Sequence, residues 1–128
     1  MRLLLDTHAL LWVFLESPRL SAAAKAAIDA DENELLISAV TAIELATKYR
    51  LGKLDQSAPF MQAGQVDLSG LDWTPLPITF DHASLAGSLD IPHKDPFDRL
   101  LIAQARIERV PIVSNEKAFD AFGVERIW

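Results

Sequence analysis

The stretch "HKDPFDRLLIAQARIE", residues 93 to 108, heads an amphipathic helix with two aspartates, Asp95 and Asp98. Three residues apart, they share one side of the first turn. At a separation of about 4 Å and an effective dielectric of about 20, their repulsion is about 4 kcal/mol. Either the helix terminus absorbs that charge or a cation sits between the acids. Asp6 poses a related problem, because it directly follows the apolar run "RLLL" and a carboxylate there is costly to bury without a partner. Glu44 and Glu116, the latter beside Ser114 and Asn115, complete the set of acids placed to act together. The chain has no cysteine, so a site made from these groups offers only hard oxygen ligands. Such ligands select Mg²⁺ or Mn²⁺ rather than zinc, and such sites clamp phosphate oxygens and activate water.

These acids can meet only if the fold gathers them. "RLLL" (2–5) has the pattern of a buried strand, and "THALLWVFLE" has helical spacing that stops before Pro18. "SAAAKAAIDADE" (21–32) reads as a helix with Ser21 as its N-cap. "ELLISAV" (34–40) is a second strand and "TAIELATKYRLGKL" (41–54) an amphipathic helix. Residues 55 to 72 carry the weakest pattern, with "APFMQAGQV" a short helix and "DLSGLD" a loop. "WTPLPI" (73–78) is a strand pushed to a sheet edge by its prolines, and "DHASLAGSL" (81–89) a helix. After the Asp95 helix come strand "PIVSN" (111–115), a short helical "KAFDAF", and a closing strand "ERIW" (125–128).

Strands alternating with helices predict one α/β domain over residues 1–128, with a central parallel sheet of four to five strands covered on both faces. In that topology Asp6 ends the first strand, Glu44 lies in the first turn after the second, and Asn115 and Glu116 follow the fourth. The Asp95 helix runs back into the fourth strand, so it too begins at the carboxyl edge. That edge is where open α/β sheets bind ligands. Helix capping is the competing explanation. Thr41 and Glu44 make a capping box, Asp95 an N-cap with Pro96 at the favoured first position, and Asn115 a cap for "EKAF" with Glu116 complementing its dipole. Asp6 resists this explanation better than the others.

Bulk properties narrow the classes. Without cysteine, thiol catalysis and disulfides are excluded. The apolar N-terminal run is broken by Asp6 and His8, and Ala9 to Leu15 is too short to cross a bilayer, which predicts a soluble, cytoplasmic protein with no membrane partner. A formal net charge of −6 argues against a non-specific nucleic-acid binder, yet it permits acids concentrated in one pocket or a basic partner. His82 and His93 lack metal-ligand spacing and read as surface or loop residues, while His8 lies near the sheet edge. Lys48, Arg50 and Lys53 read as a solvated helix face, and Arg99 as the better candidate for a phosphate contact. No G-x-S-x-G elbow or Gly-rich phosphate loop is present.

Four blocks in order, "LLLDTHALLW", "ISAVTAIELATKYRLGKL", "IPHKDPFDRLLIAQA" and "IVSNEKAFDAFGV", resemble the PIN-domain ribonucleases, specifically VapC-like toxins of toxin–antitoxin pairs. The resemblance implies a three-layer α/β/α sandwich and endonucleolytic RNA cleavage dependent on Mg²⁺ or Mn²⁺, leaving 5′-phosphate and 3′-hydroxyl ends. It places the family's acids on Asp6, Glu44 and Asp98, with Asp95 close by. It also implies a homodimer and a hetero-oligomer with a cognate antitoxin. One departure stands out: the family's last block has an aspartate two residues after a Ser or Thr, where this chain has Ser114, Asn115 and Glu116. Glu116 is then a longer-reaching ligand, a ligand through water, or none. Ser114, Asn115 and Arg99 are the candidate substrate contacts. Two other functions fit an acid pocket: a phosphotransfer or aspartyl-phosphate phosphatase domain, and a non-catalytic binding module whose acids only cap helices. The phosphatase wants an aspartate two residues after Asp6, where this chain has His8.

Overall fold

A computed structural model describes every residue except Gln56 and Ser57. β1 (Arg2–Leu5) leads into α1 (Thr7–Phe14) and α2 (Ala22–Asp29); β2 (Glu34–Ser38) leads into α3 (Ala39–Arg50). A small hairpin of β3 (Met61–Gln62) and β4 (Gln65–Val66) precedes β5 (Thr74–Leu76), α4 (Phe80–Ser88) and α5 (Pro96–Glu108). β6 (Ile112–Val113), a 3-10 turn over Lys117–Ala121 and β7 (Arg126–Ile127) follow.

The sheet has five parallel strands in the order β5-β2-β1-β6-β7, with β5 at an edge as its prolines predict. Alternation along β1 divides two cores. Leu3 and Leu5 pack with Leu10, Ile28, Leu45 and Phe60 on one face. Leu4 packs with Leu36, Leu101, Ile102 and Phe119 on the other. The result is helix on sheet on helix. Chain order along the sheet reverses at β1 and β6, which makes the carboxyl ends of those two strands the switch point where open α/β sheets bind ligands. Among the described residues, no helix is long and apolar enough to cross a membrane.

Three local expectations are corrected. The segment 58–66 is not a helix: Met61 pairs with Val66 across Ala63 and Gly64, both at positive φ (50° and 78°). Left-handed φ at both central residues is what a tight two-residue hairpin requires. Second, α3 begins at Ala39, with the Ser38 hydroxyl accepting from Val40 N–H at 3.0 Å. Thr41 therefore lies within the helix, its hydroxyl buried 3.2 Å from that of Thr7, and the Thr41–Glu44 capping box does not form. Third, His82 is buried rather than on the surface. Its Nδ1 accepts from Thr79 N–H at 3.0 Å, closing a capping box on α4, and Nε2 donates to Glu108 at 3.2 Å.

Beside His82 lies Gln104, wholly buried on α5. Its Oε1 accepts from the Ser38 hydroxyl at 2.6 Å and its Nε2 donates to the Pro77 carbonyl at 3.3 Å. Gln104 thus ties the N-cap of α3 to α5 through the core. A Gln104→Leu protein strands both partners in an apolar surround and is expected to lose about 2 kcal/mol in a urea titration, with an unchanged m-value.

Candidate active site

The parallel register sets the site. Leu5 pairs with Val113 and with Ile37, so Asp6, Ser114 and Ser38 lie side by side at the carboxyl edge. Asp6 is the N-cap of α1: its Oδ1 accepts from Ala9 N–H at 2.7 Å. It is also buried, at 5% exposure, and takes a hydrogen bond from the Ser114 hydroxyl. Capping and burial coincide, so the sequence contrast between Asp6 and the capping acids does not hold. Burial pushes the Asp6 carboxyl above the ordinary carboxylate range; the Ser114 and Ala9 hydrogen bonds and His8 pull it back, and the charge of Asp98 raises it further.

Glu44 comes from α3. Its Oε1 accepts from the Thr7 hydroxyl at 2.7 Å, and its Oε2 from the Lys48 ammonium at 2.9 Å. α5 supplies Asp98, and the residue before the helix supplies Asp95. Asp95 is the N-cap, accepting from Phe97 N–H at 2.9 Å and more weakly from Asp98 N–H at 3.4 Å, with Pro96 at the first helical position. His93 Nε2 donates to Asp98 Oδ2 at 2.7 Å, and its ring packs in T-shaped contacts with Phe119 and Phe122. Burial raises the Asp98 carboxyl, His93 opposes that, and the charges of Asp95 and Glu44 add to it. The Asp95–Asp98 conflict is thus eased, by the helix terminus for one acid and by His93 for the other, but the charge of Asp95 still raises Asp98.

Asp6, Glu44, Asp95, Asp98 and Glu116 line one cleft of about 280 Å³, together with Thr7, His8, Lys48 and Phe97. Five acids from four separate parts of the chain therefore share one cavity. Each is turned toward a partner of its own, and among the described residues no three His, Asp or Glu side chains stand as a ready set of metal ligands. The donor chemistry nonetheless fits a hard divalent cation: the oxygens are carboxylates, and like charge crowds them, Asp98 raising the proton affinity of Asp6 while Asp95 and Glu44 raise that of Asp98. A cation is what such crowding favours.

Other expected site residues fall differently. Glu116 reaches the cleft but is the N-cap of the 3-10 turn, its Oε1 accepting from Ala118 N–H at 3.3 Å. Asn115, expected to be that cap, is exposed beside it. Ser114 is fully buried, donating to Asp6 and accepting from Glu116 N–H at 3.0 Å, so it braces two acids rather than facing substrate. Arg99 is the clearest correction. Its guanidinium points away from the cleft and donates to the carbonyls of Ala86, Gly87, Leu89, Ile91 and His93. Lys48, read as part of a solvated face, instead lines the cleft. Thr7 and His93 carried no sequence signal beyond their closeness to Asp6 and Asp98.

Fold, sheet switch point and acid cleft together define an α/β protein built to work on a ligand at the carboxyl edge of its sheet. A PIN domain family model matches residues 3–125, and the chain belongs to that family. No sequence among curated proteins matches it. Among solved structures it is similar to a VapBC complex from Rickettsia felis bound to a promoter DNA fragment, at 16% identity, TM-score 0.72 and full coverage of both chains. It is also similar to a sarcin-ricin loop cleaving VapC toxin of Mycobacterium tuberculosis, at 15% identity and TM-score 0.68 over 95% of each chain. A third is FitAcB of Neisseria gonorrhoeae, at 19% identity and TM-score 0.60 over 97% of this chain and 95% of that one.

Proposed function

We propose that this chain is a metal-dependent endoribonuclease and the toxin of a toxin–antitoxin pair, acting in the cytoplasm as a single PIN-like domain over residues 1–128. The observation that carries the reading is the shared cleft: Asp6 from the β1–α1 junction, Glu44 from α3 and Asp98 from α5 line one cavity at the sheet's switch point. Membership in the PIN domain family and the likeness to toxin–antitoxin structures support it. Asp6, Glu44 and Asp98 would hold Mg²⁺ or Mn²⁺, with Asp95 and Glu116 within the same cleft. The bound cation supplies charge neutralisation at the scissile phosphate and a water of lowered pKa.

The chain's own residues do the positioning. Ser114 and Ala9 N–H hold Asp6, and Thr7 holds Glu44, so two acids from different elements keep fixed directions. His93 holds Asp98 and is itself a group able to accept or return a proton next to the reacting centre. Glu116, a cleft carboxylate outside that ligand set, would orient the attacking water for in-line displacement at phosphorus. A cognate antitoxin and a second copy of the chain are the protein partners of this reading.

The test uses purified protein and a long, mixed-sequence RNA. Cleavage is expected with Mn²⁺ or Mg²⁺, absent in EDTA, and restored by excess metal, with products that carry 5′-phosphates. Cleavage that persists in EDTA, or an RNA left intact under every metal, overturns the proposal.

A further inference from the structure

Lys48 is the one lysine or arginine lining the acid cleft among the described residues. It lies one turn beyond Glu44 on α3, and its ammonium donates to Glu44 Oε2 at 2.9 Å. The pair is largely withdrawn from solvent, with side-chain exposures of 31% for Lys48 and 13% for Glu44. Lys25–Asp29, also spaced by four residues, is a different kind of contact, at 65% and 60%. Exposed pairs of that sort are screened and nearly neutral in effect; a charge set inside a cleft with five carboxylates is not.

Glu44 is held from two sides for two reasons. Thr7 fixes the direction of Oε1 through a hydroxyl that is itself buried against Thr41. Lys48 neutralises Oε2. A divalent cation drawn to the cleft needs an oxygen of Glu44 and meets an ammonium already on it. Lysine suits exchange, since it is a point charge on a flexible four-carbon stem rather than a rigid fork. Asp6 has no lysine or arginine on it: its hydrogen-bond partners are a hydroxyl and a backbone N–H, with His8 acting only through its charge.

We infer that Lys48 is the internal counter-ion of the site: it holds Glu44 in the metal-free protein and must be displaced from it when a divalent cation enters, so it sets how tightly the site takes metal. This inference rests on the metal-binding reading proposed above. It makes Lys48 a positioning residue, acting through Glu44.

The test is calorimetric titration of the full chain with MnCl₂, with no RNA present. Lys48→Met, which keeps the apolar stem, is expected to bind Mn²⁺ about tenfold tighter than the wild type through relief of cation–cation repulsion. Lys48→Arg keeps the charge and is expected to gain nothing. Lys25→Met, which removes the exposed lysine, is expected to stay within about twofold of wild type, because its charge is screened. If Lys48→Met does not fold, as judged by circular dichroism, Lys48→Gln takes its place. Equal or weaker Mn²⁺ binding by the Met or Gln protein, beside clear uptake by wild type, overturns the counter-ion role and leaves the metal reading intact. Uptake seen only after Lys48 is replaced supports it in its strongest form. No uptake by either protein overturns both.

Discussion

An Asp98→Asn protein is expected to lose RNA cleavage by at least about a hundredfold, the cost of removing one charge-stabilising group from an active site, while folding normally. In EDTA at neutral pH the same protein is expected to melt higher than wild type. The reason is the position of Asp98: burial, then the charges of Asp95 and Glu44, hold its carboxyl above the ordinary range despite the His93 hydrogen bond. A carboxyl whose pKa is raised on folding binds more protons in the native state than in the unfolded chain. The native state therefore loses stability as pH rises from the ordinary carboxylate range through the raised value, and the loss is complete above it. Asparagine does not ionise, so the advantage of the variant should grow across that acid window and then level off. Asp6 is displaced in the same direction, in part by the charge of Asp98, so removing that charge relieves Asp6 too and adds to the advantage. Excess Mn²⁺ should reverse the order of melting if Asp98 is a ligand as proposed, since wild type alone then keeps that carboxylate for the cation. Thermal melts from acid to neutral pH, with and without Mn²⁺, check both halves. A variant less stable than wild type in EDTA at neutral pH would mean that Asp98 serves the helix dipole first, and an active variant would remove it from the chemistry.

What the sequence made legible, and what it hid, follows from the range of the interactions. The strands were readable because short leucine and isoleucine runs have no other use in a chain with this alternation. The Asp95–Pro96 cap was readable because its hydrogen bonds close within three residues. The acids of the cleft could be placed on one edge because parallel topology sends every helix start there. The start of α3 was not readable. Ser38 and Thr41 are both good N-caps, and what chooses Ser38 is Gln104, sixty-six residues away, together with Thr7 drawing Thr41 inward. The hairpin at Ala63 was hidden because alanine at positive φ contradicts its local preference and is held by the pairing of Met61 with Val66. His82 reads as a surface or loop group in the sequence because its partners, Thr79, Gln104 and Glu108, are a loop residue and two positions on the distant helix α5. In each case the deciding partner is distant or lies outside the periodic pattern. Glu116 belongs with these: its distance from Ser114 was visible, but its double placement, as cap of the 3-10 turn and as wall of the cleft, was not.

Arg99→Met is expected to cost about 3 kcal/mol of stability in urea denaturation, and to weaken RNA binding little once the folded fraction is taken into account. The guanidinium has five N–H groups and five carbonyl acceptors: Leu89 at 2.6 Å, Ala86 and His93 at 2.8 Å, Ile91 at 3.3 Å and Gly87 at 3.5 Å. Two belong to the last turn of α4, where a cation also complements the helix dipole, and three to the connection between α4 and α5. Methionine fills part of the space but leaves these carbonyls to find water or go without. Lysine keeps the charge but cannot fan five donors across a turn, so Arg99→Lys should recover only part of the loss. The consequence reaches the cleft indirectly. The connection that Arg99 braces ends in His93, and His93 is what holds Asp98. A loosened connection lets His93 leave Asp98, so the folded fraction of Arg99→Met should cleave RNA more slowly while its affinity for RNA and the salt dependence of that affinity stay close to wild type. A direct phosphate contact makes the opposite forecast: affinity falls, and the slope of log affinity against log salt flattens by about one contact. Stability and salt slope, measured on the same protein, separate the brace from the phosphate ligand.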